Sequence, residues 1–530
     1  MRVLFWPGWF LAFLLFWITA IPVVSAATPP GMLVVGQVAA PGSLDPHVVT
    51  AANEFQITEN LFEGLVRFRV GTLEPEPALA TDWQVSADGT VYTFTLRDGV
   101  TFHDGSQFDA QAVKFTFDRM LDADHPYHHT GPFPLAFNFR FVDAVDVVDP
   151  HTVRFRLKEP YSPFLPALAY PSAAIVSPAS VRRYDIGTGV HPNGTGPFRF
   201  VRWQRGHEVV LAANQDYWGG KPAVSSVIFR AVDDPQQRLH MIRAGDLDIL
   251  VEVLPYNLGQ MREFSGVVTT GETGPHAWYL ILNVRNGVFA DKRVRQAVNL
   301  AVDKEAIAKQ VLQDTVEVAA GPISPAFTWA FNADVSPWPY DPVRAARLLK
   351  EAGVAGQTLT LLLPENGPGM LDPLGIGRAI AKDLNAVGLK VSIESLPWGD
   401  YLRRVNAGLG AGEDMAAMAW MTQDPDTLPY LTLRTEAMPA LGGFNSGHFS
   451  HDEVDRLLTQ ARRSPVQSER ASHYKALQAL VNDEAPWLFI GHWRQTAIVS
   501  DAVKGFTLEP SFLLRLGQVR KERVEAVGLR

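Results

Sequence analysis

Along Thr90–Arg97 the side chains alternate, with Tyr92, Phe94 and Leu96 on one face and Val91, Thr93 and Thr95 on the other. Successive strand residues point to opposite sides, so this period predicts a half-buried strand. The Asp88-Gly89 dipeptide just before it predicts a tight turn. A second turn is predicted at Asp149-Pro150, with Val153, Phe155 and Leu157 alternating behind it. Together these two hairpin-like units predict a sheet-rich region from about residue 70 to about 185.

The second half changes period. Asp291 is placed to cap a helix whose apolar stripe is Val294, Val298, Ala301 and Val302. Asp341-Pro342 reads as an N-cap followed by proline at the first helical position, and Gly353 as the stop. Val454, Leu457, Leu458 and Ala461 repeat the helical spacing, as do Tyr474, Leu477 and Val481. Ser450 and Glu453 predict a capping box that starts the first of these two helices just after Ser450 and leaves His448 in the preceding loop. Strand-like runs at Thr358–Leu363 and Leu389–Ile393 fall between helices, as expected of an α/β lobe.

A chain of 530 residues is too long for one core. Its formal charge of -9 and the absence of a basic run argue against a nucleic-acid partner. With no cysteine, disulfides, thiolate metal sites, cysteine nucleophiles and a lipoprotein anchor are all excluded. Arg2, the apolar run Val3–Val24 and Val24-Ser25-Ala26 predict an export signal cleaved before Ala27, and hence a periplasmic product. The alternative is a retained membrane anchor.

Catalytic motifs are missing: no G-x-S-x-G, no H-E-x-x-H and no phosphate loop. At Gly219-Gly220-Lys221 the following Pro222 replaces the hydroxyl residue a phosphate loop requires, which leaves a turn. Asp122, Asp124, His125, His128 and His129 carry metal-binding groups, but Pro126 breaks their alignment, so a surface loop is expected and no metal or cofactor is assigned. Asp424 and Asp426 flank Pro425 and are close enough for acid/base work, although Asp-Pro-Asp is equally turn chemistry.

A longer block bears on function. Pro75-Glu76-Pro77-Ala78-Leu79-Ala80-Thr81-Asp82-Trp83 is followed by Asp88–Val100, Phe102-His103-Asp104-Gly105 and the series Phe108, Ala110, Val113, Phe115 and Arg119. This closely resembles the signature of family-5 extracytoplasmic solute-binding proteins, the dipeptide-, oligopeptide-, glutathione- and nickel-binding class. Further matches keep the family's order: Leu44-Asp45-Pro46, Gly194–Phe198, Asp216-Tyr217-Trp218, Gly245-Asp246, Val294–Ala297 and Ala485-Pro486-Trp487. The resemblance implies an α/β, two-lobed periplasmic-binding-protein fold of type II-like form, with an additional sheet-rich domain. It places a signal peptide at 1–26, lobe I at 27–70, 187–278 and 488–530, the extra domain at 71–186, and lobe II at 279–487. Crossovers are expected near Tyr279–Val284 and Trp487–Gly491, with closure by hinge motion.

The function so implied is that of a non-enzymatic, monomeric component of an ATP-binding-cassette importer. It would capture a small peptide or peptide-like solute and deliver it to membrane permease subunits. A metal-chelate or opine-like ligand in the same fold is the alternative, and an exported hydrolase using Asp424 and Asp426 is the third reading. In peptide-binding relatives an acid three places after the late cleft tryptophan pairs with the ligand's amine. Here Trp420 is followed by Gln423, and Asp424 and Asp426 come next in a shortened loop. The arginine that dipeptide-binding relatives use for the ligand carboxylate is missing from Pro364–Gly369. By similar placement Trp398, Tyr401 and Asn53 join Trp420, Gln423, Asp424 and Asp426 as expected cleft residues.

Overall fold

The computed structural model describes residues 28, 29, 31–253, 255–261, 264–367 and 369–522, so the export segment lies outside the described residues. In chain order the elements that matter are β1 (Met32–Gln37), α1 (Ala52–Thr58), β2 (Ala80–Val85), β3 (Val91–Leu96), β4 (Val142–Asp149) and β5 (Thr152–Leu157). They continue with β6 (Phe198–Gln204), β7 (Glu208–Ala213), β8 (Ser226–Ala231), β9 (Ile249–Val251), β10 (Val267–Thr273) and β11 (His276–Leu282). Next come α2 (Lys292–Ala301), β12 (Val316–Val318), α3 (Pro342–Glu351), β13 (Thr358–Pro364), β14 (Lys390–Leu396) and α4 (Trp398–Asn406). The series closes with β15 (Met415–Met421), α5 (Asp452–Arg463), α6 (Gln467–Glu484) and β16 (Trp487–Ser500).

Strands β2, β3, β5 and β4 form a separate antiparallel sheet. The alternation read from the sequence is realised there: Tyr92, Phe94, Leu96, Val153, Phe155 and Leu157 are all buried. Gly89 takes φ +71, which the turn needs and which favours glycine. Residues 164–184, within the region expected to be sheet-rich, form short helices and turns.

The remaining strands form one ladder of twelve, in the order β14-β13-β15-β11-β16-β9-β1-β8-β7-β6 with β10 and β12 also on β16. This ladder serves both lobes because β16 is long enough to change partners. Trp487–Gly491 pairs with β11, Gly491–Trp493 with β12, and Arg494–Ser500 with β10. The second connection runs from β10 to β11 through Gly274-Pro275. Glycine is required there, since a Cβ on Gly274 would overlap the Phe512 ring. The partner change therefore falls at Gly274-Pro275 and Trp493-Arg494, not at Tyr279–Val284 and Trp487–Gly491. Those two stretches are strand pairs inside lobe II, where Tyr279 and Trp487 stack at 3.9 Å.

Helix starts follow local chemistry. Asp291 and Asp341 accept from the amides of Arg293 and Arg344, as expected of N-caps. At α5 the cap is one residue later than the predicted box. The His451 imidazole accepts from the Glu453 amide, while the Ser450 hydroxyl bonds to that of Thr435.

Candidate functional site in the cleft between the lobes

In open α/β sheets, ligands gather beyond the carboxyl ends of parallel strands, because side chains and helix N-termini converge there without disturbing the sheet. In lobe II, β13 runs parallel to both β14 and β15, so Pro364, Leu396 and Met421 end on one edge. On the same edge β11 begins, with His276 paired to Met421. In lobe I, β1 runs parallel to β8 and β9, so Gln37, Ala231 and Val251 share an edge. That edge also turns toward the hinge, since Val251 pairs with Ala497, four residues after Trp493 on β16. The carboxyl edges of the two lobes thus face each other across the hinge strands.

The lobe II rim is built from loops that follow the strands. After β13, Gly367 lies against the Trp398 indole, where a Cβ would not fit. The Gly369 carbonyl accepts from His276 Nε2 at 2.9 Å, and the Met370 carbonyl accepts from Trp278 Nε1 at 3.1 Å. Trp398 is half-buried and stacks on Tyr401. After β15, half-buried Trp420 meets the Phe444 ring edge-on at 5.3 Å, and Gln423 is partly open. Tyr401 does not reach the rim: it is fully buried and its hydroxyl donates to the Ala417 carbonyl. The expectation of a cleft role for Tyr401 is therefore corrected to a packing role beneath Trp398.

Asp424 and Asp426 are also corrected. Both are buried, each against an arginine from the helical pair behind the loop. The Arg470 guanidinium donates to both Asp424 oxygens at 2.9 and 2.8 Å. Arg462 Nε donates to Asp426 at 2.9 Å and its Nη2 closes a second bond to the same carboxylate. Burial alone would lower both guanidinium pKa values, but the facing carboxylates more than offset it and hold them above the ordinary arginine value. Burial raises the Asp424 pKa, with Arg470 opposing, and the charge-assisted bonds from Arg470 and Arg462 tie both aspartates into the scaffold of the loop.

The lobe I rim is held by amides. Gln37 Nε2 donates to the Asn53 carbonyl at 2.8 Å and to Gln56 Oε1 at 2.9 Å. Asn53, itself buried, donates from Nδ2 to the Ala39 carbonyl at 3.1 Å, which occupies part of its amide. At the hinge, Phe512 takes φ +65 and packs on Trp493 at 4.9 Å. Two buried histidines stand beside it. Burial pulls His276 down to about 3 and His492 to about 4, so both are neutral. Because carbonyls only accept, His276 Nε2 and His492 Nδ1 are the protonated nitrogens, leaving His276 Nδ1 and His492 Nε2 buried without a partner among the described residues. Sequence reading missed both histidines, since neither sits in a motif.

Two cavities adjoin this frame. One of about 340 Å³ lies where the sheet-rich domain meets lobe II, and its walls include Trp83, Trp329, Gln423 and Arg470. Another of about 420 Å³ lies on lobe I, walled by Glu59, Glu63, Arg67, Tyr217, Trp218 and Arg515. Among the described residues no group of three His, Asp or Glu side chains could hold a metal ion. His128 and His129, from the histidine-rich loop, instead bond the Arg119 carbonyl and Asp185.

A two-lobed α/β protein with facing strand ends across a two-stranded hinge and an added antiparallel domain is a solute-binding protein in architecture. Residues 74–437 match the bacterial extracellular solute-binding proteins, family 5 Middle, and the chain belongs to this family. It is similar to di/tripeptide-binding protein 2 of Pseudomonas aeruginosa (strain UCBPP-PA14), with 34% identity, covering 91% of this chain and 93% of that protein. Among solved structures it is similar to HbpA2 from Haemophilus parasuis, at TM-score 0.86 and 27% identity, covering 93% of this chain and 100% of that one. It is also similar to the ABC transporter-associated periplasmic binding protein DppA from Helicobacter pylori in complex with peptide STSA. There the TM-score is 0.75 and the identity 29%, covering 93% of this chain and 98% of that one.

Proposed function

We propose that this chain captures a short peptide or peptide-like solute between its lobes and delivers it to the permease of an ATP-binding-cassette importer, without catalysis. The observation that carries this reading is the pair of facing carboxyl edges joined by β10–β11 and β16, a geometry suited to closing on a small extended ligand. Similarity to a protein named for di- and tripeptide binding, and to a structure holding a peptide, supports the ligand class. Trp420, Gln423 and Trp398 form the lobe II side of the proposed site, and Asn53 part of the lobe I side. The indoles of Trp398 and Trp420 offer flat apolar surface to peptide planes and side chains. The mature protein acts as a monomer in the periplasm after cleavage before Ala27.

Native mass spectrometry of gently purified protein, before and after incubation with an equimolar tripeptide library, tests the ligand class. A retained peptide mass supports the reading. A retained metal chelate with no peptide uptake overturns it in favour of the alternative ligand class.

A further inference from the structure

Lobe I carries a carboxylate at the edge where the lobes face each other. Glu252 directly follows β9, one residue past Val251, whose partner Ala497 lies on the hinge strand. The next residue is tied to that strand as well, since the Thr496 hydroxyl donates to the Val253 carbonyl at 3.2 Å. Glu252 holds φ +53, a left-handed conformation that a branchless glycine takes freely and that a glutamate adopts at a cost. Strain of this kind persists where the surroundings enforce it, and such positions cluster at ligand-binding sites.

The surroundings place the carboxyl group at the strand ends. The charge that acts on it among the described residues is Arg238. The Arg238 guanidinium is bonded to the carbonyls of Val232 and Asp233 at 2.6 and 3.1 Å, just past the end of β8. Burial raises the Glu252 pKa, and Arg238 offsets this only in part. No ion pair or hydrogen bond closes on its carboxylate among the described residues, in contrast to Asp424 and Asp426. Glu252 is half-buried, and a carboxylate drawn partly out of water gains from a cation that arrives with the ligand.

We infer that Glu252 is the anchor for the ammonium group of the bound solute, so that the amine is held from lobe I and not from the loop after Trp420. This inference rests on the peptide reading above. It assigns the solute a free amine, as at the N-terminus of an unblocked peptide.

Calorimetry on the mature full chain tests it, with a library-selected tripeptide offered with a free or an acetylated N-terminus, to wild type, Glu252→Gln and Glu252→Asp. Wild type is expected to bind the free form at least about tenfold more tightly, in the range of a lost charge-assisted bond. Glu252→Gln should bring the two forms within about twofold, and Glu252→Asp should retain a preference. If wild type binds peptides but does not distinguish the acetylated form, the inference falls whether or not the variants fold. The same holds if Glu252→Gln keeps the full preference; in both cases the peptide reading stands. If wild type takes up no peptide at all, both fall together.

Discussion

The loop after β15 and the end of β9 place acids at corresponding positions, just past strands whose ends lie on the facing edges, and treat them in opposite ways. On the lobe II side, Asp424 and Asp426 are each matched to a buried arginine. On the lobe I side, Glu252 is half-buried, strained in φ and, among the described residues, opposed by Arg238, which is already bonded to backbone carbonyls. A buried acid with a dedicated partner belongs to the scaffold. A half-buried one with no such partner among the described residues costs stability, and a ligand is the natural source of the missing charge. Motif reading draws attention to the Asp-Pro-Asp pair, whereas the physical environment draws it to Glu252.

The strongest test of this contrast is on the lobe II side. Asp426→Ala leaves the Arg462 guanidinium buried without its counter-charge, and removing one partner of a buried pair costs about 3–5 kcal/mol. Urea denaturation followed by circular dichroism should show a loss of that size. Replacing both partners, Asp426→Leu with Arg462→Met, should recover most of it, because an apolar pair of similar volume carries no desolvation penalty. A single variant with near-native stability would mean that the pair is not closed in solution, and the contrast would collapse.

Lobe I offers a second, pH-dependent test at Glu59, a carboxylate whose side chain is 15% exposed and lies 3.4 Å from Arg515. Burial raises it to about 7, with Arg515 opposing and Glu63 adding to the rise. For an acid whose folded pKa lies above the unfolded value, the protonated form is favoured by folding. Its contribution is fully present below about pH 4.5 and is lost as the pH rises to about 7. Glu59→Gln should therefore match wild type near pH 4 and exceed it near pH 8, by up to about 3 kcal/mol. Denaturation curves at the two pH values give the difference directly. Equal stability of the two proteins at pH 8 would show that the lobe I carboxylates are compensated as well as those of lobe II.

How far the sequence disclosed this arrangement depended on whether a signal was local. Period-two alternation at Tyr92, Phe94 and Leu96, and caps at Asp291 and Asp341, are dictated by neighbours in the chain, and they appear as read. The cap at His451 was missed because a histidine nitrogen accepted the Glu453 amide where serine was the expected acceptor. The pairing of Asp424 with Arg470 and of Asp426 with Arg462 spans 46 and 36 residues, so no spacing rule announces it. Glu252 is similar: its sequence signal is only an acid directly behind Ile249-Leu250-Val251, and its meaning depends on where β16 changes partners. The changeover lies several residues from the place the apolar runs suggest, because Ala277–Leu282 and Trp487–Ile490 are strand interior of lobe II, while the partner change sits at Gly274-Pro275 and at the polar stretch from Trp493 to Thr496.

The smallest expected effect is also the most discriminating, and it lies at Glu252. Glycine at this position relieves a left-handed conformation that costs a residue with a Cβ about 1–2 kcal/mol, while adding unfolded-state entropy worth somewhat less. It also removes a carboxylate whose charged form is disfavoured by burial. Glu252→Gly is therefore expected to raise unfolding free energy by about 1 kcal/mol while abolishing the preference for a free amine. A gain in stability coupled to a loss of binding is what a residue retained for ligand capture produces. A variant that loses stability instead would place Glu252 with Asp426 among the scaffold carboxylates, and the distinction between the two strand ends would have to rest on the hinge alone.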